Sequence, residues 1–169
     1  PMPFTPFHIG PATFFGLLAL RLLDFPTFFI SNVILDLEPL VVLVFGLDYP
    51  LHGFFHTFIG ATIVALPLAV IMFKLNNLTR KVMDLLKLEQ RSSRGAILAG
   101  ALLGTYSHIL LDAPLYTDIR PFYPLNFNPF FDIDLRIGVS PVAFCILCFV
   151  LGAALYCVIL LSQFRKPKE

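Results

Sequence analysis

The sequence predicts an all-α protein, a polytopic transmembrane helical bundle of about five apolar spans joined in part by an amphipathic helix. Three observations carry that expectation. The 169 residues are 57% hydrophobic, with a mean hydropathy of +0.83, where soluble domains run at about 45–50%. Charged residues make up only 14%, against about 25% in soluble domains, too few to cover a surface facing water. The excess apolar area is gathered into long stretches of a length that suits a bilayer core.

Five such stretches follow one another: Phe7–Leu23, Pro26–Phe45, Leu51–Phe73, Gly95–Leu111 and Val139–Phe164. The whole chain, residues 1–169, reads as a single membrane domain. The N-terminal segment lacks a basic region and is interrupted by Pro3, Pro6 and Pro11, so it does not read as a secretory leader. Between the third and fourth stretches, Lys74–Arg94 carries Leu78, Val82, Leu85 and Leu88 at spacings of three and four. Arg80, Lys81, Lys87 and Arg91 lie between them, the pattern of a helix lying on an anionic membrane surface. Tyr116–Gly138, rich in Pro, Asn, Asp and Phe, reads as an ordered loop or re-entrant segment.

Basic residues set the expected orientation. Arg21, the 74–94 connector and Arg165, Lys166 and Lys168 fall on one side; Arg120 and Arg136 fall on the other. The positive-inside rule places the crowded side in the cytoplasm of a cell (inner) membrane, with the N-terminus outside and the C-terminus inside. A net charge of +1 gives nucleic-acid binding no electrostatic basis. Cys145 and Cys148 form a C-x-x-C spacing, yet no second pair follows and the run is apolar, so they read as core cysteines.

Ionisable groups inside apolar spans are costly, and they are functional candidates by default. His8, His52, His56 and His108 all lie in or at the end of a predicted span. His52 and His56 are four residues apart, as are His108 and Asp112, a spacing that brings two side chains to one helix face and can chelate one ion. Depth strengthens this reading. At 1.5 Å per residue, His8, Asp36, His108 and Asp112 lie roughly 18–27 Å above the basic boundary, with His56 at about 27 Å and His52 a turn higher. Six groups in one layer are hard to satisfy mutually without a cation. Imidazole with carboxylate favours zinc, with iron or manganese as alternatives. His56, His108, Asp112 and Asp36 are the expected ligands. His8 would hold a second ion or orient the first, and His52 competes with His56. Glu38 is a candidate general base or ligand-supporting group, or else an interfacial carboxylate before Pro39. Arg120 is the candidate phosphate anchor, or else a loop-structuring residue.

The segments PFTPFHIGPA at Pro3–Ala12, DLEPL at Asp36–Leu40, PLHGFFHTFIGA at Pro50–Ala61, SHILLD at Ser107–Asp112 and DIRPFYPL at Asp118–Leu125 resemble the YdjM-like inner-membrane metal-dependent hydrolases. More distantly, the order His8, Asp36, His52 or His56, then His108 with Asp112 is similar to that of the zinc-dependent phospholipase C and single-strand nuclease superfamily. That resemblance implies a helical phosphoesterase with Asp112 bridging two metals. The superfamily adds a later His and an H-x-x-x-E pair, and no His follows His108, so the implication here is one or two ions. The expectation is therefore a hydrolase of a membrane-embedded lipid phosphoester, with its site in the outer half of the bilayer and Asp36, Glu38 and Arg120 assisting. A metal-binding membrane protein without catalysis, a carrier or assembly partner, is the alternative, and a purely structural hydrogen-bond network is a third reading.

Overall fold

The computed structural model describes residues 6–90, 92–131, 138 and 140–164. Among these residues every regular element is helical: α1 Pro6–Leu18, α2 Phe25–Ile34, α3 Leu37–Phe45, α4 Phe58–Lys74, α5 Asn76–Leu85, α6 Arg94–Asp112 and α7 Pro141–Phe164, with a 3-10 turn at Phe54–His56 before α4. Arg91, Arg136 and the basic residues from Arg165 onward lie outside the described residues, as do Pro3–Thr5 of the first motif.

Of the five expected spans, three helical stretches are long and apolar enough to cross a membrane: Phe25–Phe45, Arg94–Asp112 and Pro141–Gln163. A fourth exists if α4 and α5, bent by 75° where they meet, count as one. The first expected span falls short because α1 stops at Leu18, and its 13 residues cover roughly 20 Å of an approximately 30 Å core. The chain beyond it is held in turns by Gln90, whose Nε2 donates to the carbonyls of Leu20 and Leu23 at 2.6 and 2.7 Å. Its Oε1 accepts the Phe25 N–H at 2.9 Å. Asp24 then caps α2, accepting the Thr27 N–H at 2.9 Å and the hydroxyls of Thr27 and Ser92. The third expected span becomes α-helical only at Phe58, where Thr57 caps α4 by accepting the Gly60 N–H at 2.9 Å.

The amphipathic connector is also shorter than expected. α5 ends at Leu85, and Lys87 takes a positive φ of 57°, which stops helical propagation. Leu78, Val82 and Leu85 remain exposed, whereas Leu88 turns inward beside Met83 and Leu17.

Small residues let the helices approach closely. Gly100 and Gly104 on α6 face α2, and a Cβ at Gly104 would lie 2.4 Å from the Ser31 Cβ. On α1, a Cβ at Gly10 would lie 2.3 Å from the carbonyl oxygen of Cys145 on α7. Ala61, Ala65, Ala69 and Ala101 fill the α4–α6 contact. The outward faces carry Ile63, Leu66 and Val70 on α4 and Ile146, Phe149, Val150 and Val158 on α7. A surface of that kind belongs in lipid, and the molecule is built as a membrane protein.

Gly104→Val should therefore force α2 and α6 apart. Overpacking of this sort costs about 1–3 kcal/mol. The expected outcome is a lower thermal unfolding temperature in detergent, whereas Gly95→Ala, whose added Cβ would meet only Ser93 Oγ at 3.8 Å, leaves it unchanged or slightly raised.

Candidate metal centre

The polar residues of the apolar helices gather at the end of the bundle opposite the Gln90 turns. α6 delivers His108 and Asp112 from adjacent turns of one face, with His108 Nε2 3.3 Å from Asp112 Oδ2. α1 brings His8, whose Nε2 lies 3.1 Å from Asp112 Oδ1 and whose ring stacks on His108 at 4.2 Å. Asp36 sits at the joint between α2 and α3, its Oδ1 3.8 Å from His108 Nε2. His52 and His56 come from the segment before α4 and meet edge-on at 4.8 Å. All six side chains are buried, His56 and His108 completely.

The expected i, i+4 helical pair at His52 and His56 takes another form. Glu38, in the first turn of α3, accepts the backbone N–H groups of Gly53 and Phe55 at 3.1 and 3.2 Å. The segment is thereby gathered into a 3-10 turn rather than a continuous α-helix. The same carboxylate accepts from His56 Nδ1 at 2.7 Å. Glu38 thus spends its oxygens on three donors and fixes the ring it touches.

Two sets of donor atoms result, each with its members within 4.8 Å of one another: His8, Asp36, His108 and Asp112 in one, His52, His56 and Asp112 in the other. Asp112 belongs to both. This grouping differs from the sequence-based set of His56, His108, Asp112 and Asp36, since His8 joins the first group and His52 stands with His56. The groups abut, with His56 Nε2 3.3 Å from His108 Nε2.

The fit to a divalent cation can be judged from the nitrogens. His108 Nδ1 donates to the Asn32 carbonyl at 2.8 Å, because a carbonyl can only accept. In a neutral ring, Nε2 is then a bare lone pair, and it faces two carboxylates and the Nε2 of His56. His56, held through Nδ1 by Glu38, also points its Nε2 inward. His52 is likewise held through Nδ1, 3.1 Å from Asp118 Oδ1, and its backbone N–H donates to Asp118 Oδ2 at 3.1 Å. Lone pairs converging at such distances repel unless a proton or a cation lies among them. Rings locked through Nδ1 by a carboxylate or carbonyl, with Nε2 presented inward, are the usual support for zinc-type ligands. The donor set of imidazole and carboxylate suits the same class of ion. His8 Nδ1 is buried with no hydrogen-bond partner among the described residues, so this ring lacks such a lock.

Asn32, Asp118 and Tyr116 complete the site. Asn32 is pinned by its Nδ2 donating to Ser107 Oγ at 2.8 Å. A buried asparagine one helical turn before Asp36, within an apolar run, is the sequence signal that marks it. Burial acts to raise the Asp118 carboxyl, but its hydrogen bonds with His52 outweigh this and hold it below its ordinary value. The Tyr116 ring lies tilted by 37° against His52, with centroids 4.0 Å apart. Burial, with Asp112, Asp36 and Asp118 nearby, pushes its hydroxyl upward. Arg120 stands apart from the ring cluster. It is exposed, donates to Asn126 Oδ1 at 2.9 Å, and lines a cavity of about 260 Å³ together with His52, Asp118, Tyr49 and Tyr123. Cys145 and Cys148 are free, buried and confined to α7.

The chain matches no family model, no curated protein and no solved structure.

Two substitutions separate holding from ligation. Glu38→Gln keeps the shape but weakens the grip on His56, and loss of such outer support should lower metal affinity about 10–100-fold. Asp112→Asn removes a ligand common to both groups and should abolish stoichiometric binding. Metal content by elemental analysis after equilibrium dialysis against zinc checks both.

Proposed function

We propose that this protein is a membrane-embedded, metal-dependent hydrolase of a lipid phosphoester. The observation that carries the reading is the pair of buried donor groups sharing Asp112 beside a polar cavity that contains Arg120. Two abutting groups with a common carboxylate suit the paired cations that many phosphoesterases use. The reading takes zinc as the ion, in one or two copies. When bound, the ion supplies Lewis-acid activation of water and of the phosphoryl group. The resemblance to the YdjM-like hydrolases, and more distantly to the phospholipase C and nuclease superfamily, points the same way.

The chain's own residues divide the remaining work. His8, Asp36, His108 and Asp112 would hold one ion, and His52 and His56 a second where two are bound, with Asp112 available to either. Glu38 and Asp118 hold the rings of His56 and His52. Glu38 takes this holding role in place of a general base because its oxygens already serve three donors. Asp36, at the joint between α2 and α3 with its Oδ1 3.8 Å from His108 Nε2, would face the ion with one oxygen and take the proton of the attacking water with the other. Arg120, across the cavity, grips the phosphate as a bidentate fork. Water adds to phosphorus, the ester P–O bond breaks, and the leaving alcohol takes up the proton.

Orientation belongs to the same proposal. The site lies in the outer half of a cell membrane, with the N-terminus outside and the C-terminus in the cytoplasm, from the skewed distribution of Lys and Arg. Single cysteines introduced at Asn128 and Lys168, in a cysteine-free background, test it with an impermeant thiol reagent on intact cells. Position 128 should label and position 168 should not; the reverse pattern overturns the orientation.

Turnover of a panel of phospholipids, with and without chelator, tests the activity. Arg120→Lys keeps the charge and loses the fork, so it should retain metal and lose about 10-fold or more in kcat/KM on an anionic lipid, roughly 1.4 kcal/mol of transition-state binding. Asp112→Asn should lose metal and turnover together. Bound metal without hydrolysis of any phosphoester would replace the enzyme with a metal-binding membrane protein, and a metal-free protein would leave only the hydrogen-bond network.

A further inference from the structure

The candidate centre has a second, apolar approach. Beyond the joint at Asp36, α3 leaves Leu37, Val41, Leu43, Val44 and Phe45 exposed. Between it and α4 lies a groove of about 550 Å³ lined by Ile34, Leu37, Val41, Val42, Phe55 and Val64. Its polar lining group is the Glu38 that holds His56. Leu37 and Val41 on its α3 wall are exposed, so in a membrane the groove adjoins the lipid in which these helices stand.

Continuity with the polar cavity identifies an occupant. Tyr49 lines both the apolar groove and the cavity of Arg120, His52 and Asp118. Its ring lies flush against Gly53, where an added Cβ would fall 2.0 Å from Tyr49 Cε1. Its hydroxyl accepts the Phe54 N–H at 2.9 Å. A single side chain, anchored at both ring and hydroxyl, therefore forms the boundary between an apolar slot and a mouth that offers a guanidinium. Of two other large apolar grooves, one among α1, α2, α5 and α7 reaches Leu86 and Leu88 at the opposite end of the bundle, and one of about 580 Å³ lies against Phe15, Leu22, Phe28, Phe58 and Leu103. Neither shares a residue with the cavity of Arg120.

We infer that the α3–α4 groove is the acyl-chain site of an anionic phospholipid, which enters sideways from the bilayer, lays one chain along Leu37, Val41 and Val64, and turns its phosphate past Tyr49 to Arg120. The inference rests on the lipid-phosphoester reading for its purpose. The binding it asserts can nevertheless be measured without turnover.

The test uses the full-length protein in lipid nanodiscs and two probes with the same photoreactive acyl chain, a phosphatidate and a diacylglycerol. Cross-links are mapped to the groove (Leu37, Val41, Val64) and to the outward face of α7 (Ile146, Val158), which samples bulk lipid. The phosphatidate should label the groove at least several-fold above α7, and the diacylglycerol should label both alike. Val41→Trp, a change on the exposed face of α3, should cut the groove signal to the α7 level. Arg120→Gln should reduce phosphatidate labelling to that of diacylglycerol. Equal labelling of groove and α7 by phosphatidate overturns the inference, and so does enrichment indifferent to Arg120→Gln. Groove enrichment in a protein that hydrolyses no phosphoester keeps the lipid site and removes the enzyme. Turnover with uniform labelling does the opposite.

Discussion

At Gly104 the backbone of α6 passes so near α2 that a single added carbon would collide with Ser31. That contact governs much of what lies beyond it. One turn further along α6, His108 reaches the backbone carbonyl of Asn32 on α2, and Ser107 takes the Asn32 amide. The carbonyl dictates the tautomer of His108 and hence which nitrogen faces Asp36, His56 and Asp112. A wider spacing between the two helices would remove the carbonyl from reach, and the ring would be free to rotate. Packing of small residues in the apolar part of the bundle thus sets the chemistry of its polar end.

The polar end would be costly if its groups were unpaired. Four imidazoles and four carboxylates lie within one small region, most of them buried. Desolvating such groups costs several kcal/mol each unless partners compensate. Backbone and carboxylate acceptors take up Nδ1 of His52, His56 and His108. The partnering runs outward, into the scaffold, and leaves the inward atoms concentrated on one another. This arrangement spends its hydrogen bonds on positioning and keeps the centre electrostatically poised for a cation.

Much of the site was legible from residue spacing. His108 and Asp112 lie on one continuous helix, so their separation of four residues translates directly into a shared face. Asp36 and His8 follow from depth, because neighbouring helices of similar pitch bring equal heights together. Local pattern fails where a distant side chain intervenes. His52 and His56 have the same spacing as His108 and Asp112, yet Glu38, in another helix, gathers their backbone into a 3-10 turn. The first apolar stretch has the composition of a short span, but Gln90 takes its carbonyls some seventy positions away. Asp118, in sequence only the first residue of the DIRPFYPL segment, is fixed to His52 by a contact across 66 positions. Hydropathy reports what a segment can tolerate around it, and such tertiary hydrogen bonds decide where its helix ends.

Gln90 also has a mechanical consequence. With Ser92 on Asp24, Tyr156 on the Leu86 carbonyl and Gln163 on that of Lys87, it laces α1, α2, α5, α6 and α7 together at one end of the molecule through side chains gripping loop backbone. Among the described residues α3 is tied in this way at its first turn alone, where Glu38 takes the Gly53 and Phe55 N–H groups and the His56 ring; from Leu40 to Phe45 it carries only apolar side chains. The bundle is thus clamped at one end by several side chains that grip loop backbone, and α3 is held at the other by a single carboxylate, so one residue, Glu38, joins the hold on α3 to the hold on the ring cluster.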